Sequence, residues 1–532
     1  MKYRKSSQCY LAATAIALTA VTASAQLADV AATDTVIVLR LGEPSTSAVS
    51  VFAAAVHETD DTAFARQAVW SGRPNGETIT LPRFDGPVDR LYQRFSVTDT
   101  AGKPLGSSRY VNDLSSLTRE AAKLPQPASP KGLQCIVDLD DAIDLGVKHA
   151  AVNVSLSQIY DDSGSSSIRR DIDGVPVAAN ERAIARLDAT VKRMTDAGMR
   201  VSFILLNYQQ PSGSPNSPLR HPQTDAAAPN GIGAFNLTDV DGVRAFRGLI
   251  ELLAERYSRP DASYGLVANY IVGNEVQSHF DWYNLGDADS ATVIADYAKA
   301  VRIADLAVRR FQPDARVFVS LDHNWSRQHR SEPTRSMPGR VLLDRLHATL
   351  VAQGDVPWGI AFHPYAENLG NPRTWQDKTA KLCFDTPRIT FKNLEVLTTY
   401  LRRPPLLFDG KQRRLILSEQ GFHCLTTDDG ESLQAAAFAF AFDRVRRIEG
   451  IESFIYHRHV DHSHEGGLRL GLRENAPGTT DQPARPRKIT DVFRAIDTPD
   501  RAAATAFAKP IVGVASWDEL APKPVQPACE GP

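Results

Sequence analysis

Two segments carry an acidic residue at the point where an apolar run stops. Tyr-Ile-Val-Gly-Asn274-Glu275-Val and Leu-Ile-Leu-Ser418-Glu419-Gln-Gly each place a carboxylate directly after residues suited to a buried strand. A charge in such a wall is costly unless it faces a solvent-filled mouth. Cleavage of a glycosidic bond needs a pair of this kind. One carboxyl must be protonated at the working pH to donate to the leaving oxygen, while the other stays ionised. The plainer reading is a strand-end acid neutralised by Arg or Lys, and for one acid alone the two readings are evenly matched. Two acids at two such ends favour chemistry.

Other strand ends carry groups that suit a sugar. Asn153 lies on an early strand, and Asn207-Tyr208 ends the next. Asp322-His323-Asn324-Trp325 and His363-Pro364-Tyr365 close two later ones. Trp282, Trp325 and Trp375 fall on segments that follow strands, where an indole face can stack on a sugar ring or simply pack a loop. A rival set is His457, His459, Asp461, His462 and His464, with His363 and His323 able to join across a mouth, as metal ligands of a hydrolase. Against it, Gly-Leu-Gln-Cys-Ile-Val-Asp at the first strand offers no His-x-His pair. These histidines are therefore read as polar rim residues, with His457 among the groups that meet substrate. Ser418 is not in a G-x-S-x-G elbow, and Gly466-Gly467-Leu-Arg-Leu-Gly471 lacks the GK[ST] of a nucleotide loop.

The elements that must hold these residues change character near residue 125. Before it, short β-branched or alternating runs at Thr35–Leu41, Ser47–Val56, Glu77–Leu81 and Leu91–Thr98 are separated by turn residues, the pattern of a small β-sandwich. Trp70 and Tyr92 are read as surface aromatics of this unit, which leaves sugar binding and plain packing equally open as its role. Lys123–Pro130, with three prolines, reads as a linker. Eight strand candidates follow, at Gly132–Val137, Ala150–Leu156, Arg200–Asn207, Tyr270–Val276, Arg316–Leu321, Gly359–Tyr365, Arg414–Gln420 and Ile451–His459. Amphipathic stretches lie between several of them, such as Ile184, Leu187, Val191 and Met194 on one face. The fold class is therefore α/β: a (β/α)8 TIM barrel over residues 131–499, behind an N-terminal β-sandwich domain over residues 26–122. A doubly wound open sheet is the alternative, but no Gly-rich phosphate turn follows the first strand. Residues 500–532 read as a tail that wraps the surface or stays partly disordered.

The placement of Asn274-Glu275 on strand four and Glu419 on strand seven resembles the large clan A-type group of retaining glycoside hydrolases. The sandwich start, the Lys-Gly-Leu-Gln opening of the barrel and Gly-Asn-Glu-Val are also similar to an uncharacterised bacterial family of glycosidase-like proteins. The resemblance implies that Glu275 is the general acid/base and Glu419 the nucleophile. It implies that Asn274 bonds the sugar 2-hydroxyl and that Tyr365 steadies Glu419. It also implies an oligo- or polysaccharide substrate, no metal or organic cofactor, and carboxyls roughly 5–5.5 Å apart. A non-catalytic carbohydrate-binding barrel is the other reading of the same fold.

The bulk properties fit. The formal net charge is −2, from 60 basic and 62 acidic residues, and no basic block suggests a nucleic-acid groove. Residues 1–25 read as an export signal: Lys2, Arg4 and Lys5, an apolar stretch from Tyr10 to Val21, then Ala23-Ser24-Ala25 before Gln26. The mature chain is expected outside the cytoplasm, periplasmic or secreted, with no membrane partner once the signal is cleaved. Cys135, Cys383, Cys424 and Cys529 would remain, allowing one or two disulfides; Cys383 with Cys424 is one candidate pairing, two buried thiols the alternative.

Overall fold

The computed structural model describes residues 26–209 and 217–529. The export signal and its cleavage point lie outside the described residues. Among the described residues, no helix is long and apolar enough to cross a membrane.

Eight parallel strands close into one barrel. They are β1 (Lys131–Gln134), β2 (His149–Ser155), β3 (Arg200–Leu206), β4 (Val267–Val272), β5 (Arg316–Asp322), β6 (Gly359–His363), β7 (Leu415–Gln420) and β8 (Ser453–Tyr456). Each pairs with the next, and β1 closes on β8 through Gly132 opposite Ile455. Closure rules out the doubly wound sheet. All eight sequence candidates overlap a strand, with ends that differ by a few residues.

The barrel interior is apolar. Ala151, Ile204, Ile271, Phe318, Ala361, Ile416 and Ile455, from seven of the strands, form one buried cluster. A second, larger core lies between the strands and the surrounding helices. Two glycines let the interior close up. A Cβ on Gly359 would lie 2.6 Å from the Phe318 ring, and one on Gly132 would lie 2.8 Å from the His149 carbonyl oxygen. Long helices cover the outside at Glu181–Asp196, Val240–Arg256, Ser290–Phe311, Gly339–Ala352 and Gly430–Arg447. Three of these, at Glu181, Val240 and Ser290, begin at an Asn or Asp whose side chain caps a free backbone N–H.

The N-terminal unit consists mainly of two antiparallel sheets. One orders Leu27–Ala32, Val36–Leu41 and Thr78–Pro82; the other orders Trp70–Gly72, Val49–Ala54, Arg94–Thr98 and Arg109–Tyr110. It abuts the helices Val240–Arg256 and Ser290–Phe311 through a buried ionic cluster. Arg83 binds Asp89 at 2.7 Å, Arg310 reaches both Asp89 and Glu251, and Arg247 binds Glu251 at 2.9 Å. The expectation of a surface Tyr92 is corrected here: the ring is buried, with the Arg247 guanidinium 3.9 Å from its centre. Trp70 is half-buried and packs over Gly72.

The C-terminal segment wraps the barrel. Short helices at Arg501–Ala504 and Ala508–Val512 lead to Gln526, which pairs with the loop at Cys383. The observed disulfide joins Cys383 to Cys529, not to Cys424, whose thiol is free and buried. The pairing follows from that backbone bridge, which brings the tail beside the loop after β6.

Candidate active site

At the C-terminal end of the barrel lies a cavity of about 870 Å³. Every strand or the loop after it contributes: Cys135, Asn153, Leu206, Asn274 with Glu275, Asp322, Tyr365, Glu419 and His457 line it in chain order. Glu275 and Glu419 meet there. One oxygen of each and one ring nitrogen of His363 all lie within 4.8 Å of one another.

The backbone aims both acids. After β4, Gly273 (φ 76°) turns the chain, and Glu275 itself adopts a left-handed φ of 39°. Its N–H donates to the Ser320 hydroxyl on β5 at 2.9 Å. A non-glycine residue in that region costs of order 1–3 kcal/mol, and such strain clusters at functional sites. Cys135, at the end of β1, is a second example in the same cavity. Glu419 is brought in differently. The pairing of β7 with β8 shifts register between Leu417 and Gln420, and a shift of this kind re-aims a side chain.

The environments of the two carboxyls push them apart. Burial raises Glu275 to about 7, helped by the charges of Asp322 and Glu419, although a 2.8 Å hydrogen bond to His363 Nδ1 opposes it. Burial would raise Glu419 as well, but the positive His363 and His457 and bonds from Gln134 and Tyr365 hold it below the usual glutamate value. The Tyr365 hydroxyl donates to Glu419 at 3.1 Å. His363 is raised despite its burial, because Glu419 and Glu275 both favour its charged form. His457 is pushed up to about 10: burial opposes this, but Glu419 and bonds with Cys135 and Glu465 outweigh it. Its Nε2 lies 2.7 Å from Glu465, which Arg458 also binds at 2.8 Å. His323 is the reverse case. Burial lowers it to about 4, so it is neutral, and among the described residues its Nδ1 has no partner.

Of the residues expected from sequence, Glu275, Glu419, Asn274, Asn153, Tyr365, His323, Trp282 and His457 line the cavity. His363 sits just behind it against Glu275. Two do not belong. Asn207 is buried, and its amide donates to the carbonyls of Leu219 and Ala234, so it braces a loop. Trp325 is fully buried against Tyr400, with its N–H on the Phe384 carbonyl oxygen. Trp375 packs on Phe440 and also lies outside the cavity. The histidines after β8 do not gather. His459 pairs with Asp141 at 2.9 Å, Asp461 pairs with Arg487, and only His457, His462 and His464 face the cavity.

Sequence reasoning missed Gln134, Glu465, Arg327 and Arg388. Gln134 ends β1, so the strand-end rule that found the acids would have found it. Glu465 lies directly after the histidine run. The two arginines are on long loops and have no periodic signal.

An eight-stranded parallel barrel with a close carboxylate pair in its mouth defines the class: a TIM-barrel protein with a two-acid site. Within that class, residues 123–520 match the model of the family of unknown function DUF5722, and the chain belongs to that family. No curated protein matches the sequence. Among solved structures, a family 39 glycoside hydrolase from Bacteroides cellulosilyticus WH2 is 12% identical with a TM-score of 0.46, covering 90% of this chain and 83% of its own. A hyperthermophilic beta-glucosidase from Pyrococcus furiosus is 13% identical with a TM-score of 0.45, covering 70% and 85%. A glucosidase from Croceicoccus marinus is 13% identical with a TM-score of 0.43, covering 70% and 68%. At these scores the likenesses carry no inference about activity.

Proposed function

We propose that the protein is a retaining glycoside hydrolase acting on an oligo- or polysaccharide. The observation that carries this reading is the Glu275–Glu419 pair: carboxyl oxygens within 4.8 Å, one acid held protonated near neutrality and the other held ionised. Retaining enzymes hold their carboxyls at roughly 5–5.5 Å, whereas inverting enzymes leave room for a water between them at about 6.5–9.5 Å.

In the first step the Glu419 carboxylate attacks the anomeric carbon. The glycosidic C–O bond breaks, and the Glu275 proton passes to the departing oxygen. In the second step Glu275, now ionised, takes a proton from water. The water oxygen attacks the same carbon and releases Glu419. Tyr365 and His457 keep Glu419 anionic between turnovers, and Asn274 bonds the sugar beside the reacting centre. Neutral His323 and half-buried Trp282 supply a hydrogen-bonding edge and an apolar face. The segment before Gln26 makes a glycan outside the cytoplasm the proposed target; fractionation of cells producing the full chain tests that.

The experiment is a reducing-end assay of purified protein on a panel of polysaccharides, with the anomer of the first product followed by NMR. Retention, and its loss in Glu419→Ala, support the reading. Inversion, or turnover that survives Glu419→Ala, defeats it. Sugar binding without cleavage points instead to a binding barrel. The same three side chains, Glu275, His363 and Glu419, are spaced closely enough to take a cation. Loss of activity in chelator with recovery on metal addition would favour that second reading.

A further inference from the structure

Arginines near the cavity mostly have carboxylate partners. On the loop after β5, Arg330 binds Asp281 at 2.6 Å and Arg335 binds Asp287 at 2.7 Å. Arg458 binds Glu465 on the opposite rim. Arg327 and Arg388 are different. Both line the catalytic cavity, and among the described residues neither has a carboxylate within ion-pairing distance. Arg388 uses one Nη1 on the Thr379 hydroxyl at 3.0 Å, while its buried Nε has no partner.

The two guanidiniums feel each other. Burial and then the Arg327 charge are the main influences that lower Arg388. The nearest acids are already engaged. Glu367 accepts from the backbone of Lys378 and Thr379, and Asp322 accepts from Ser278 and the Asn324 N–H. Arg388 is fixed to the barrel rim by a backbone bridge to Asn324, two residues beyond Asp322. Two like charges lining one cleft, Arg327 exposed and Arg388 half-buried, with donors unspent, form a receptor for an anion. A neutral glycan would leave them unanswered.

Resting on the glycosidase reading of this cavity, we propose that the substrate is an anionic glycan whose carboxylate or sulfate group is bound by Arg327 and Arg388. The shared chemistry is a multi-oxygen anion set on a sugar ring. A uronic acid and a sulfate ester both supply it.

The test is calorimetric titration of Glu419→Ala protein with three oligosaccharide sets: neutral cello- and xylo-oligosaccharides, galacturonate and glucuronate oligomers, and sulfated galactan oligomers. The wild type is then assayed for cleavage of whichever set binds. Tighter binding of one anionic set by tenfold or more, weakened by added salt, supports the proposal and identifies the group. Arg327→Gln removes no hydrogen bond among the described residues and should lower the anionic-to-neutral ratio of kcat/KM about tenfold. Arg388→Gln should do the same, with Arg388→Lys recovering part of it. Equal binding of neutral and anionic sets overturns the proposal, as does no binding of any anionic set. Anionic binding without cleavage by the wild type would instead leave this proposal standing and remove the hydrolase reading.

Discussion

His363 Nδ1 lies 2.8 Å from a carboxylate oxygen of Glu275, and the same ring, charged, also favours the ionised form of Glu419. One imidazole therefore leans on both acids in the same direction. It draws down the value at which each gives up its proton, while burial lifts both.

The first expectation is a bell-shaped pH profile of kcat/KM. Glu275 must hold a proton to act as the acid, so activity falls as pH rises through about 7. Glu419 must be ionised, so the acid limb lies below the ordinary glutamate range. Replacing His363 by Gln removes a charge that lowers both groups, so both limbs should move to higher pH. A profile whose limbs stay in place in His363→Gln would show that the histidine does not set them.

Tyr365→Phe removes the hydroxyl that donates to Glu419 and keeps the ring. A hydrogen bond to a charged group is worth about 1.5–3 kcal/mol. A fall in kcat of roughly ten- to a hundredfold is expected on that basis, with the acid limb shifted upward. Thermal melting should barely change, which separates the loss of this bond from general damage.

Two tryptophans should behave oppositely. Trp282 is half-buried on the cavity wall, so Trp282→Ala should raise KM and leave the melting temperature near that of the parent. Trp325 is fully buried, and Trp325→Ala should cost about 3–5 kcal/mol in denaturant unfolding. Affinity changes in Trp325→Ala without destabilisation would contradict the packing role.

The Cys383–Cys529 bridge closes a separation of 146 residues. Removing a disulfide typically costs about 2–5 kcal/mol. Cys529→Ser should therefore melt earlier than the parent, and reductant should lower the parent's melting temperature but not the variant's.

Much of this arrangement was legible from residue types. The apolar runs that became β1 to β8 stood out because a strand buried on both faces is nearly all apolar, and turn residues bounded each run. The errors follow from alternation. Leu206 points into the barrel, so Asn207, one residue on, turns away from it and binds the loop at Leu219 and Ala234. Asn153 keeps step with the inward Ala151 and does reach the cavity. Strict alternation from the inward Ile416 would have selected Ser418. The register shift delivers Glu419 instead, and no residue type in the segment announces it. Arg327 and Arg388 were invisible because their place on one cavity depends on how two long loops run over the rim. Tyr92 looked exposed because nothing local shows that the sandwich abuts a helix carrying Arg247.

The closure of β1 against β8 has a consequence for timing. Lys131 lies opposite Phe454, and its buried ammonium contacts Asp497. A chain emerging from the ribosome carries Glu275 long before either partner exists. Glu419 follows late, and His457, which holds Glu419 ionised, comes later still. The Glu275–Glu419 pair with its charged neighbours is thus complete only when synthesis is nearly finished. A nascent product that stops before Ser453 carries both acids but lacks the closing strand β8 and His457.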